Sequence, residues 1–168
     1  MNNEEKNTYV KKQIVEAFIK LLKEKDFNKI NILEITQTAM VSRNSFYRNY
    51  SDKEDILKKH VKYLLETWKH DYDLENKNSN AQMYGSLFKH LYDYKDFYLL
   101  LKEKNLFHLF LNAFLEIFGS NQELDNLSAY TVSFVTYGTY GWIEEWIARG
   151  MKESAETMTE LLISSGMK

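Results

Sequence analysis

The 168-residue sequence contains no cysteine and no proline, and glycine occurs only six times. Without cysteine there is no disulfide framework, no thiolate metal site and no cysteine nucleophile. Without proline, and with so little glycine, few positions enforce a break, which fits a mostly helical chain with short connections. Long apolar runs are missing as well. Phe97-Tyr98-Leu99-Leu100-Leu101 is far too short to cross a bilayer. The opening residues, MNNEEKNTYVKK, carry no apolar segment of signal-peptide type, so the expectation is a cytoplasmic chain with no membrane partner. Catalytic signatures are absent too. His60, His70, His90 and His108 stand at no metal-ligand spacing, and neither a Gly-rich phosphate loop nor a G-x-S-x-G motif occurs. The His70-Asp71-Tyr72-Asp73 cluster mixes ligand types, but adjacent helix positions do not face one point. No enzyme activity, metal or cofactor is expected.

What is present is a folded-protein composition, 44% hydrophobic and 15% aromatic, which excludes disorder. The net charge of −2 favours no partner, but its distribution is uneven. Residues 1–62 carry 13 Lys/Arg against 9 Asp/Glu, whereas residues 63–168 carry 9 against 15. A basic first third beside an acidic remainder suggests two parts with different partners.

Apolar spacing at Val10, Ile14, Ala17/Phe18, Leu21 and Leu22 predicts a first helix near residues 6–25, broken by Asp26-Phe27-Asn28. Asn31 with Glu34 reads as a capping box for a short helix through Ala39. A turn at Met40-Val41 leads to Ser42, a good N-cap for a third helix from Arg43 to about Asn49. Ser51 with Glu54 reads as a second capping box, opening a long helix with Leu57, Val61, Leu64/Leu65, Trp68 and Tyr72 on one stripe. The polar run Glu75-Asn76-Lys77-Asn78-Ser79-Asn80 is the best candidate hinge. Further helices are expected near 81–94, 96–104, 105–118, 127–149 and 154–165, with Gly119 and Gly150 as terminators and Ser154 as an N-cap. No β-type alternation is sustained, so the fold class is all-α.

Three short helices with a tight turn between the second and third make a helix-turn-helix, whose second member enters the DNA major groove. One face of that recognition helix must pack inward, here Phe46 with Tyr50. The other must carry donors, here Arg43, Asn44, Ser45 and Arg48, with Tyr47 beside them. Arginine bonds guanine bidentately and asparagine bonds adenine, so this short face holds the main base-reading chemistries. Ser42, Tyr47 and Lys53 suit phosphate clamping.

At these residues a resemblance becomes specific. The stretch KKQIVEAFIKLLKEKDFNKINILEITQTAMVSRNSFYRNYSDKEDIL resembles the DNA-binding domain of TetR-type transcriptional regulators, and the resemblance covers roughly residues 9–60. Phe27, Ile35, Ala39, Val41-Ser42, Phe46-Tyr47, Tyr50 and Lys53-Glu54 occur in the order of that family's pattern. Tyr47 stands at the family position that favours the backbone phosphate. Met40 departs from the pattern, because glycine is usual there. If the turn needs a left-handed backbone, methionine carries strain on the order of 1 kcal/mol.

The remainder is loaded with aromatics. Phe107, Phe110, Leu111, Phe114 and Phe118 form one stripe; Tyr84, Phe88, Leu91 and Tyr92 form another. Stripes at helical spacing are usually core, and each residue taken singly reads that way. Taken together, Tyr84, Phe88, Phe107, Phe110 and Phe114 are also the candidate walls of a pocket for an apolar or aromatic effector. Residues 134–154, FVTYGTYGWIEEWIARGMKES, resemble a C-terminal domain of small TetR-type proteins, including relatives associated with dihydroxyacetone-kinase regulation. Ala155 stands where proline is common in that domain. The resemblance implies a homodimer built by the last two long helices, roughly 128–165. Tyr137, Gly138, Gly141, Trp142 and Trp146 are the expected interface, with the glycines allowing close approach and the tryptophans making a ridge. Glu145 and Arg149 read as an ordinary surface pair.

The expectation is therefore a helix-turn-helix domain at residues 1–55 and a dimerisation and ligand-binding domain at 56–168. Together they imply a homodimeric repressor on a pseudo-palindromic double-stranded DNA operator, released by a small effector. The alternative is a TetR-shaped co-regulator acting through a protein partner, as some relatives with this C-terminal domain do.

Overall fold

A computed structural model describes residues 2–74 and 79–166. Short polar side chains start most of its helices. Asn2, Asn31, Ser42, Ser79, Asp125 and Ser154 each accept the backbone N–H three residues on, satisfying one of the free amides of a helix N-terminus. The described residues form nine α-helices and no strand. These are α1 (Asn3–Glu24), α2 (Ile32–Thr38), α3 (Arg43–Tyr47), α4 (Lys53–Leu74), α5 (Asn80–Asp93), α6 (Lys95–Glu103), α7 (His108–Phe118), α8 (Asn126–Ala148) and α9 (Ala155–Ser164). The all-α expectation holds, with three N-terminal helices followed by a long fourth.

Boundaries differ from the expected ones where side chains choose other partners. Helix α1 starts earlier than predicted because Asn2 and Glu5 form a full capping box. Asn31 caps α2, but the Glu34 carboxylate pairs with Lys25 instead of reaching back. The Ser51/Glu54 box does not form. Asp52 accepts the Asp55 amide at 2.9 Å, and the Asp55 carboxylate accepts the Ser51 amide at 2.9 Å, so the capping exchange is shifted by one residue. Residues 75–78 of the candidate hinge lie outside the described residues.

The chain divides into two compact units, Met1–Val61 and Lys62–Lys168, with the boundary inside α4. The first unit buries Ile14, Phe18, Leu22, Ile35, Phe46, Ile56, Leu57 and Val61 completely. A 3₁₀ turn at Phe27–Lys29 joins α1 to α2 and lays the Phe27 ring 6.2 Å from Phe18.

In the second unit α5 packs on α9, and α6 and α7 both pack on α8. Helix α7 ends at Gly119, where a Cβ would collide with the Leu115 carbonyl oxygen that accepts the Gly119 amide. Helix α8 ends in two left-handed residues, Gly150 (φ 82°) and Met151 (φ 49°). Their amides return to Ile147 and Trp146, and the Met151 side chain is fully buried. Burial of that methionine offsets the strain of its backbone.

Candidate nucleic-acid interface

The turn between α2 and α3 is closed by main-chain bonds. Met40 N–H donates to Gln37 O at 3.1 Å and Val41 N–H to Thr36 O at 3.0 Å. The reversal needs a left-handed residue, and Met40 supplies it at φ 53° with its side chain 92% exposed. The strain that follows from placing methionine at this glycine position is therefore present, on the order of 1 kcal/mol. Ser42 caps α3, its hydroxyl accepting the Ser45 amide at 3.0 Å and lying 2.9 Å from the Ser45 hydroxyl.

Helix α3 has only five residues, too few to be stable alone, so packing fixes it. Phe46 is fully buried and Tyr50 nearly so, with ring centroids 5.9 Å apart. Burial, with the nearby Asp55 charge, pushes the Tyr50 phenol up to about 12, so it stays neutral. The opposite face carries Arg43, Asn44, Tyr47 and Arg48, all exposed, with Ser42 exposed and Ser45 half-buried at its start. The Tyr47 ring stands edge-on to Phe46 at 5.3 Å, which fixes its direction. Neither arginine forms an ion pair among the described residues. Both guanidinium groups keep their fork of donors free, as bidentate contact to guanine or phosphate requires.

Lys53 is placed differently from its expected role as a phosphate clamp. Its ammonium donates to Phe27 O at 2.6 Å and Ile30 O at 2.8 Å, and lies 4.4 Å from the centroid of the Phe27 ring. These carbonyls open and follow the 3₁₀ turn, so Lys53 latches the start of α4 to the entry of α2. Lys59, six residues further along α4, makes a second latch, to the residues that follow α3. It donates to Asn49 O and to the Asp55 carboxylate, both at 2.8 Å, with the Tyr50 ring 5.4 Å away. Burial works against ionised Asp55, but Lys59 and the Ser51 amide and hydroxyl hold its carboxyl below the usual range. The expected reading missed this second latch, whose only sequence signal is the i,i+4 spacing of Asp55 and Lys59.

In the second unit Trp146 is not a surface ridge. It is 1% exposed, stacked on Tyr92 at 6.1 Å and edge-on to Phe88 at 5.7 Å, with its indole N–H donating to Glu153 O. Trp142 and Gly138 are half-buried, while Tyr137 and Gly141 are exposed. The larger exposed feature of α8 lies at Leu127, Tyr130, Phe134 and Tyr137, which are 76, 74, 75 and 55% exposed. With Gly141, bare of neighbours, these positions repeat at three and four residues, the spacing of a helix seam. That spacing was legible in the sequence and went unread.

Tyr84, Phe88, Phe107, Phe110 and Phe114 are all buried. Phe107, Phe110 and Phe114 stack at 5.1 and 5.5 Å, and Tyr98 meets Phe110 edge-on at 5.5 Å. These rings fill the interior, and none of them lines the groove between α4 and α5 described below. Each of the five is thus packed as core, as it reads when taken singly.

A capped recognition helix after a left-handed turn, with a free basic face, defines a helix-turn-helix transcriptional regulator. Residues 14–59 match the model described as bacterial regulatory proteins, tetR family, and residues 78–165 match that described as transcriptional regulator C-terminal region. The chain belongs to the TetR family of transcriptional regulators. Among similar proteins is the uncharacterized HTH-type transcriptional regulator YxbF of Bacillus subtilis (strain 168), 25% identical over 164 residues, covering 88% of this chain and 42% of the relative. Another is the HTH-type dhaKLM operon transcriptional activator DhaS of Lactococcus lactis subsp. lactis (strain IL1403), 28% identical over 118 residues, covering 65% of this chain and 58% of the relative. The chain thus spans about half the length of these curated relatives. The solved structure titled dihydroxyacetone kinase operon activator DhaS shares the fold, with a TM-score of 0.51, 22% identity and 92% of each chain covered.

Proposed function

We propose that the protein is a homodimeric repressor that reads a pseudo-palindromic operator through α3 of each copy and responds to a small ligand. The observation that carries this reading is the outward face of α3, where Arg43, Asn44, Tyr47 and Arg48 stand exposed on a helix locked from behind by Phe46 and Tyr50. Arg43 and Asn44 read base edges; Ser42, Ser45, Tyr47 and Arg48 contact the backbone. Lys53 holds the domain in shape. Residues 1–55 act as the DNA-reading domain, and 56–168 as the dimerisation and ligand domain. Among the described residues no helix is long and apolar enough to cross a membrane, which is in keeping with a cytoplasmic regulator.

The exposed repeat Leu127, Tyr130, Phe134, Tyr137 and Gly141 supports a two-fold dimer through α8. A ligand shifts such a dimer only by preferring one spacing of its recognition helices over the other. One comparison favours a second reading, since a similar protein is named for activating an operon. In that reading the dimer raises transcription, directly or through a protein partner.

Selecting genomic fragments on the purified protein and sequencing them tests the proposal. Enrichment of a two-fold motif with half-sites about one helical turn or more apart supports it. Absence of any enriched motif at moderate salt overturns direct operator reading and leaves the protein-partner reading.

A further inference from the structure

The second unit carries a groove of about 470 Å³ between α4 and α5 that the aromatic core does not use. Its volume suits a small organic molecule. Trp68, Tyr72 and Tyr94 contribute rings to its walls, together with His90, and Asp71 and Asp93 contribute carboxylates. No lysine or arginine among the described residues lines it. Burial drives the His90 imidazole down to about 4, although Asp93 and Asp71 pull the other way, so the histidine is neutral at physiological pH. Among the described residues the lining therefore holds two carboxylates and no cationic side chain of its own. Asp93 shares its charge with Lys89 at 2.8 Å, whereas Asp71 forms no ion pair among the described residues.

Polar bonding at the groove is incomplete. The indole N–H of Trp68 donates to Ser86 Oγ at 3.0 Å. By contrast, His90 Nε2 is one of two buried side-chain polar atoms without a hydrogen-bond partner among the described residues. The other, the hydroxyl of Tyr98, belongs to α6 and lies outside the lining of the groove. Native interiors seldom leave such atoms unmatched. Anions are disfavoured by the two carboxylates. A bare metal ion is disfavoured too, because the described residues hold no cluster of three or more His, Asp or Glu that could bind one. Aromatic faces attract cations through their quadrupoles, and carboxylates add direct attraction.

We infer that the groove between α4 and α5 binds a small organic cation, with its charged end toward Asp71 and Asp93 and its apolar body against Trp68, Tyr72 and Tyr94. This deepens the ligand-response half of the proposed function and rests on it for its regulatory meaning; binding itself is measured without DNA. Choline and its uncharged carbon isostere, 3,3-dimethylbutan-1-ol, are titrated into the full chain, followed by tryptophan fluorescence and ligand-observed NMR. Saturable binding of choline, about tenfold or more tighter than the isostere, is the expected result. Asp71→Asn should remove most of that preference. Equal affinity for the two compounds, no saturable binding of choline, or a preference untouched by both Asp71→Asn and Asp93→Asn would overturn the site. Choline that binds with this preference, yet leaves retention of selected operator fragments unchanged, supports the site and counts against the ligand-response reading.

Discussion

Two helical faces are turned outward in this chain, and water treats them in opposite ways. The face of α3 exposes Arg43, Asn44, Tyr47 and Arg48, groups that lose little by staying hydrated until a polyanion displaces the water. The face of α8 exposes Leu127, Tyr130, Phe134 and Tyr137, which gain only when covered. Exposure alone thus says nothing about a partner. The chemistry of what is exposed does. A polar face held rigid from behind suits recognition of a charged surface, and an apolar seam at three-four spacing suits another helix.

The sharpest way to break this contrast is to charge the seam. Phe134→Glu should turn a dimer into a monomer at micromolar concentration in sedimentation experiments, and abolish retention of operator DNA. If the wild-type chain already sediments as a monomer, the seam serves some partner other than a second copy. A matched control sits inside the unit. Phe110, stacked between Phe107 and Phe114, belongs to the fold itself, so Phe110→Ala should cost about 3–5 kcal/mol in thermal or urea unfolding. A small loss there would show that the buried rings are less essential to packing than their contacts imply.

On the polar face, Arg43→Ala should cost about 1–3 kcal/mol of operator affinity and relax preference at one base position. Loss without relaxed preference would make Arg43 a phosphate contact. Lys53→Gln separates the latch from a clamp. A phosphate contact would lower the salt slope of binding by about one unit, whereas the latch leaves that slope intact and lowers unfolding stability by about 1–2 kcal/mol. Smallest of all, Met40→Gly should raise stability by up to about 1 kcal/mol, read as a shift in urea midpoint, since the exposed methionine side chain contributes little packing.

Much of the fold was legible because helices announce themselves through caps and periodicity. Asn31, Ser42 and Ser154 do what their residue types predict, and Glu145 meets Arg149 at 2.6 Å as an exposed pair. The misses share a physical cause, which is that pattern fixes spacing but not the chosen partner. Ser51 and Asp52 are both good caps, and only the position of Asp55 decides between them. Lys53 and a phosphate-binding lysine look alike in sequence; the nearby carbonyls of Phe27 and Ile30, set by a turn more than twenty residues away, distinguish them. Trp142 and Trp146 stand four apart, yet their neighbours bury Trp146 and leave Trp142 half-covered. The polar face of α3 was read correctly as outward because Phe46 and Tyr50 could only point in.

The pairing of α5 with α9 also sets an order of events during synthesis. Every residue of the first unit has been made once the chain has reached Val61, whereas the face of α5 that meets α9 cannot be covered until α9 has been made. At typical elongation speeds of roughly 5–20 residues per second, the stretch from the end of α5 to the end of α9 takes on the order of 4–14 s. Throughout it the face of α5 that will meet α9 is bare on the nascent chain, while every residue of the first unit has already been made. With no proline anywhere, no slow isomerisation lengthens that interval. The ribosome's pace, and not the chain's own chemistry, decides how long the unfinished second unit stays open.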